Sequence, residues 1–265
     1  MMPMNKKNDN TPKRLTIHDP ITGTHDQQDI LNRIEIAKDI LERLEEDDCP
    51  PVLGLYGGWG TGKTSVLNLL EEVNKKYEKL IIIKIDAWKY EATNSLLMPV
   101  IVKLKQESTS SFLSDAWMSV TKKVLVTTAL STAEVFTKRI GVSLSDIGNT
   151  YKDIEQRELQ DDAAVLAKWE ELTNEVEAAT NAFSKVIDLV LDKTDSTSVV
   201  IIVDNLDRCS PEKVVSFLES IKNFMSAPNC IWLLAMDSEV IASYISHKYE
   251  GTVLDGYSYL DKIVP

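Results

Sequence analysis

Val52-Leu53-Gly54-Leu55-Tyr56-Gly57-Gly58-Trp59-Gly60-Thr61-Gly62-Lys63-Thr64-Ser65 decides the fold of this chain. Residues 57–64 fill the pattern G-x-x-x-x-G-K-[ST], in which each part has a chemical task. Glycines let the backbone turn tightly, so that several N–H groups point at phosphate oxygens. A lysine at position 63 reaches the β- and γ-phosphates, and a threonine at 64 sets its hydroxyl on Mg²⁺. The apolar run 52–56 before the loop reads as a buried strand, and Thr64-Ser65-Val66-Leu67-Asn68-Leu69-Leu70 opens a helical pattern. Strand, glycine loop and helix form the setting this motif requires, and the helix N-terminus adds its positive dipole end. Gly58, Trp59, Gly60, Thr61, Gly62, Lys63, Thr64 and Ser65 are the candidate nucleotide-binding residues.

Outward from the loop, the chain alternates strands and helices. Leu80-Ile81-Ile82-Ile83-Lys84-Ile85-Asp86 is rich in β-branched residues and reads as a second strand. Val199-Val200-Ile201-Ile202-Val203-Asp204 is an unbroken apolar run, as expected of a central parallel strand covered on both faces. Asp204 emerges at its C-terminal end, where open α/β sheets bind ligands, and is the expected Mg²⁺-side partner of the loop. Cys230 to Met236 is a further strand, again followed by an acid, Asp237. Amphipathic helices are expected over 29–46, 96–105, 211–225 and 240–249, the third opened by Ser210 as capping serine, Pro211 and Glu212.

Composition narrows the function classes. The 265 residues suffice for one large domain or one domain with an insertion, and 43% are apolar, enough for a sizeable core. A formal net charge of −12 repels nucleic acid and anionic lipid. Cys49, Cys209 and Cys230 have no metal-type spacing, and His18, His25 and His247 are scattered. An odd thiol count and an N-terminus without an apolar core point to reduced cysteines and a cytoplasmic protein. The stretch 124–136 is bounded by Lys123 and Lys138, contains Glu134 and falls short of the ~20 residues that span a bilayer, so no transmembrane segment is expected.

Between 106 and 196 glycine and proline nearly vanish. Val165, Trp169, Leu172, Val176, Ala179, Phe183, Val186 and Val190 alternate spacings of four and three, a heptad seam. Its partner is an internal hairpin helix carrying Leu113, Trp117, Val120 and Val124, or another chain, or the flat surface of its own domain.

Four pieces together resemble the KAP family of P-loop NTPases. They are Gly58-Trp59-Gly60-Thr61-Gly62-Lys63-Thr64-Ser65, Asp86-Ala87-Trp88-Lys89-Tyr90, Val203-Asp204-Asn205-Leu206-Asp207-Arg208-Cys209-Ser210-Pro211 and Tyr259-Leu260-Asp261-Lys262-Ile263. The resemblance implies a three-layer α/β/α core with a mainly parallel sheet over 17–105 and 197–265, related to the additional-strand NTPases. It implies ATP as nucleotide and places 106–196 where the family carries variable insertions; by its residues that insertion reads as all-helical and soluble, the polar stretch 1–16 as a disordered arm, and Thr64 and Asp204 as the Mg²⁺ residues. It also implies a bacterial role in phage exclusion or defence signalling. Family members often carry an acid directly after the Mg²⁺-side Asp. Here that residue is Asn205, which orients water but does not take its proton as a carboxylate does. Asp207 is the nearest substitute acid, or else holds Arg208 or caps the next helix. Lys63, Asn205 and Asp207 are the candidate catalytic residues. Arg208 contacts the γ-phosphate or forms a structural ion pair, Asp237 stands at a sensor position, and Trp88 and Tyr90 shape the loop. Related enzymes continue with further helices and strands after the position of Lys262, so either the core is cut short at Pro265 or the protein lacks a lid. The expected function is an ATP-hydrolysing switch or motor module. The other reading is a non-hydrolysing nucleotide sensor that assembles through its helical insertion.

Overall fold

The computed structural model describes residues 31–93, 96–107, 177–192, 194–250 and 255–264. Four strands, β1 (Val52–Tyr56), β2 (Leu80–Asp86), β3 (Ser198–Asp204) and β4 (Cys230–Met236), make one all-parallel sheet in the order β1-β4-β3-β2. The helices are α1 (Arg33–Glu45), α2 (Lys63–Tyr77), α3 (Leu97–Glu107), α4 (177–191), α5 (Pro211–Ile221), α6 (Ser238–Lys248) and α7 (Gly256–Ile263).

The unbroken apolar runs of β3 and β4 follow from their central places. Every residue of β4, and every residue of β3 after Ser198, is buried, because helices cover both faces and no side of the strand meets water. Alternation survives only as a choice of layer. Val200 and Ile202 of β3, with Ile231, Leu233 and Ala235 of β4, pack against Ala37, Leu41 and Leu44 of α1 and Leu67, Leu69, Leu70 and Val73 of α2. Val199, Ile201, Val203, Trp232, Leu234 and Met236 point the other way, into the layer of α3 to α7. This is the three-layer α/β/α arrangement with a parallel sheet that the sequence predicts.

Ala179, Phe183, Val186 and Val190 lie buried in that second layer, so α4 packs flat on the chain's own sheet. Phe183 stands 5.0 Å from Phe224 and 6.3 Å from Trp232, ring centroid to centroid. Of the three partners open to the seam, its own domain takes the described half. Val165, Trp169, Leu172 and Val176, the stretch 124–136, the helix around Leu113 and the arm 1–16 lie outside the described residues.

One local expectation is corrected. Ser210 holds the N-cap position of α5, yet its side chain makes no capping bond; its own N–H donates to Glu91 Oε1 at 2.7 Å instead. Pro211 starts the helix without a donor to satisfy. At α7, Gly256 is required by close approach: a Cβ there would stand 2.0 Å from the Ala242 carbonyl oxygen on α6.

β4 lies between the strand that enters the glycine loop and the strand that ends in Asp204. The C-terminal ends therefore line up along one edge as Gly57, Asp237, Asp204 and Asp86. That order builds the site.

Candidate functional site

The loop closes by left-handed turns at Gly60 (φ 77°) and Gly62 (φ 97°), conformations that cost glycine nothing. Gly62 caps α2 and accepts from Val66 N at 3.0 Å. Gly57 N donates to Met236 O at 3.2 Å, tying the loop to the end of β4, and the Thr61 hydroxyl donates to Gly58 O at 3.0 Å. Arg33 on α1 reaches the loop from outside, its Nη2 donating to Thr61 O at 3.4 Å.

Lys63 folds back over the loop. Its Nζ donates to Gly57 O at 2.6 Å and to Gly58 O at 3.2 Å, and pairs with Asp207 Oδ2 at 3.4 Å. The two side chains are 11% and 10% exposed, so the pair is largely shielded from water. Asp207 thus neither pairs with Arg208 nor caps α5; it neutralises the loop lysine.

Thr64 Oγ1 donates to Asp204 Oδ2 at 2.8 Å, and Asn205 N donates to Asp204 Oδ1 at 2.9 Å. Asp204 is 2% exposed and has a donor on each oxygen. A hydroxyl and a buried carboxylate, both hard oxygens, fit Mg²⁺, which takes one or two protein ligands and completes its shell with phosphate and water. Among the described residues there is no cluster of three or more His, Cys, Asp or Glu that would cage a metal by itself. A glycine loop leading into a helix N-terminus fits a polyphosphate.

Beyond Asp204 the chain turns sharply. Asn205 is left-handed, φ 61° and ψ 31°, a conformation that asparagine tolerates better than most side chains. Its amide Nδ2 donates to Asp86 Oδ1 at 3.0 Å, across from β3 to β2. Leu206–Arg208 form a single tight turn with Leu206 buried. Arg208 lies over the ring of Trp59 at 4.2 Å and near that of Trp88 at 5.5 Å, a cation–π stack in place of an ion pair. Trp59 remains 74% exposed at the rim. Tyr90 packs against the core, as a loop-shaping residue would. Cys209 is buried beneath; burial first, then the negative field of Glu91, Asp86 and Asp207, pushes its thiol up to about 12.

Asp237 follows β4 and caps α6, its Oδ1 accepting from Glu239 N at 3.1 Å and Val240 N at 3.4 Å. Its Oδ2 faces the loop: a Cβ on Gly58 would stand 3.7 Å away. The structure thus brings Lys63, Thr64, Asp204, Asn205 and Asp207 together. It adds Asp86, Glu91 and Arg33, which the sequence reading did not assign to the site. One signal for Asp86 was present, since β2 and β3 both end in Asp.

Residues 33–265 match the KAP family P-loop domain. The chain belongs to the KAP family. A sheet in which an additional strand, β4, separates the loop strand from the Asp204 strand is the arrangement that this family's resemblance implied. The KAP chain is also similar to a curated protein of Escherichia coli (strain K12), the phage T7 exclusion protein, at 23% identity over 232 residues. The aligned part is 80% of this chain and 29% of that protein, so the KAP domain spans under a third of the relative it matches. No helix among the described residues is long and apolar enough to cross a membrane.

Proposed function

We propose that this KAP domain binds ATP with Mg²⁺ and hydrolyses it, as a switch or motor module in a phage-exclusion response. The observation that carries the reading is the Thr64–Asp204 hydrogen bond, 2.8 Å long across 140 residues of sequence. It joins the hydroxyl that ends the loop motif to a buried strand-end acid, the pair of oxygens between which Mg²⁺ is held in phosphoryl-transfer sites. Residues 58–65 cradle the phosphates, and Lys63 leaves Asp207 for the β- and γ-oxygens. Mg²⁺, when bound, neutralises charge on those same oxygens. Water is oriented by Asn205 or by Asp207, the polar groups after β3. The phage context rests on the name of the E. coli relative and extends to this chain as a proposal. So does a partner contact, or self-assembly, through the part of the insertion 106–196 that precedes α4, with the protein working in the cytoplasm.

Titration with ATP and Mg²⁺ tests the binding step. Lys63→Ala removes the dedicated cation and is expected to weaken binding by 100-fold or more, about 3 kcal/mol for a lost charge-assisted contact. Equal affinity in parent and variant sinks the reading. Phosphate release by the parent separates hydrolysis from the sensor alternative, which Asn205 favours: a protein that binds Mg²⁺–ATP and never turns it over is the sensor.

A further inference from the structure

The geometry points to Asp86 as the carboxylate that holds the attacking water, with Asn205 as its positioning residue. This rests on the hydrolytic reading above and moves its water to a carboxylate on the neighbouring strand.

Five carboxylates crowd this end of the sheet, and a site for an anionic substrate tolerates them only where each is engaged. Asp237 caps α6 through its Oδ1. Asp204 takes Thr64 Oγ1 and Asn205 N, in the place of a metal ligand. Glu91 accepts from Ser210 N at 2.7 Å and so fastens the start of α5. Asp207 neutralises Lys63. Asp86 differs. Its partner is a neutral side-chain amide: Asn205 Nδ2 donates to its Oδ1 at 3.0 Å, and among the described residues it pairs with no cation and caps no helix. It is half-buried, and Cys209 feels its charge from below.

Its place is set by register. Asp86 is directly opposite Asp204 in the parallel pairing of β2 with β3, and Ala87 N donates to Asp204 O at 2.9 Å, so the two strand ends cannot slip past one another. Asn205 follows Asp204 in a left-handed turn, the conformation that sends its amide sideways to β2. An amide here does what a second carboxylate would not: it donates, fixing one oxygen of Asp86 and leaving the other for water. A carboxylate at 205 would face Asp86 with like charge. The acid missing after Asp204 is thus supplied from the neighbouring strand, and the amide in its place is the group that aims it.

In the reaction, water hydrogen-bonded to Asp86 Oδ2 adds to the γ-phosphorus. The bond from that phosphorus to the β–γ bridging oxygen breaks, and its electron pair leaves on the nucleoside diphosphate. The water's proton passes to an oxygen of the released phosphate. No oxidant or further reactant enters.

The test reads phosphate release and Mg²⁺–ATP binding on the same purified chains. Asp86→Asn is expected to lower kcat by about 100-fold or more, the scale on which a misplaced reactant slows a reaction, with Mg²⁺–ATP affinity within threefold of the parent. Asn205→Ala is expected to lower kcat by about tenfold with KM unchanged within twofold, because the carboxylate stays and only its aim is lost. Asp207→Asn is expected to lower kcat by less than tenfold. If Asp86→Asn does not fold, Asp86→Glu replaces it, keeping the charge and displacing the oxygen, with the same split between kcat and binding. The assignment is overturned if Asp86→Asn keeps the parent rate. It is overturned equally if its loss of rate follows a loss of nucleotide binding, or if Asp207→Asn is the slower of the two. A parent that does not bind or hydrolyse ATP overturns the proposed function as well; a hydrolysing parent matched by Asp86→Asn overturns this assignment alone.

Discussion

Phe183→Ala removes a ring that is 1% exposed, in a helix that sequence spacing alone leaves free to face another chain. The ring sits between Phe224 at 5.0 Å, tilted, and Trp232 at 6.3 Å, stacked. Truncating a fully buried phenylalanine costs about 3–5 kcal/mol, from lost transfer energy and the cavity left behind. Each aromatic pair is worth about 0.5–1.5 kcal/mol beyond area, and both pairs are lost, so the upper part of that range applies. A loss of about 4 kcal/mol lowers the melting temperature by roughly 8–16 °C in a chain of this size. The control is Lys185→Ala on the exposed side of α4, expected to change stability by no more than about 0.5 kcal/mol. Thermal unfolding followed by circular dichroism reads both, and sedimentation reads the oligomeric state, which is expected to be the same in parent and variant. A Phe183→Ala protein that melts with the control, or that changes only its oligomeric state, refutes the packing of α4 on its own sheet.

Asp207→Asn is expected to tighten Mg²⁺–ATP binding by several-fold, on the order of 1 kcal/mol, because phosphate no longer competes for Lys63; titration calorimetry showing equal or weaker affinity would contradict it. Arg208→Ala should shift tryptophan emission to longer wavelength as Trp59 and Trp88 lose their cover, with melting lowered by only a few degrees, since exposed cation–π contacts are worth about 0.5–1 kcal/mol. A disulfide-exchange thiol reagent near pH 8 should label Cys49 in the folded protein and leave the buried Cys209 and Cys230 until unfolding. The Cys209 thiol is raised from 9.0 to about 12 in the fold, so the stability it lends is complete below pH 9 and lost as pH rises from there toward 12; alkaline unfolding curves of Cys209→Ala should be flatter across that window.

Much of this protein is local enough to be read from its residues in order. The glycine loop needs only its own backbone and the helix it opens. β3 and β4 announce themselves because burial on two faces demands unbroken apolar runs, and Asp204 follows from standing at the end of one. Those features rest on spacings of a few residues. What the tertiary structure decided lies at long range. The place of β4 between β1 and β3 is a matter of sheet order, which no single strand encodes. Lys63 meets Asp207 across 144 residues, and Asn205 meets Asp86 across 119, so neither pairing has a sequence period to betray it. The heptad seam illustrates the same limit from the other side. Spacing marks Ala179, Phe183, Val186 and Val190 as one apolar face, but an apolar face is equally satisfied by a sheet, a hairpin or a second chain. Only packing chose among them, because burial free energy depends on area removed from water and is indifferent to which surface removes it.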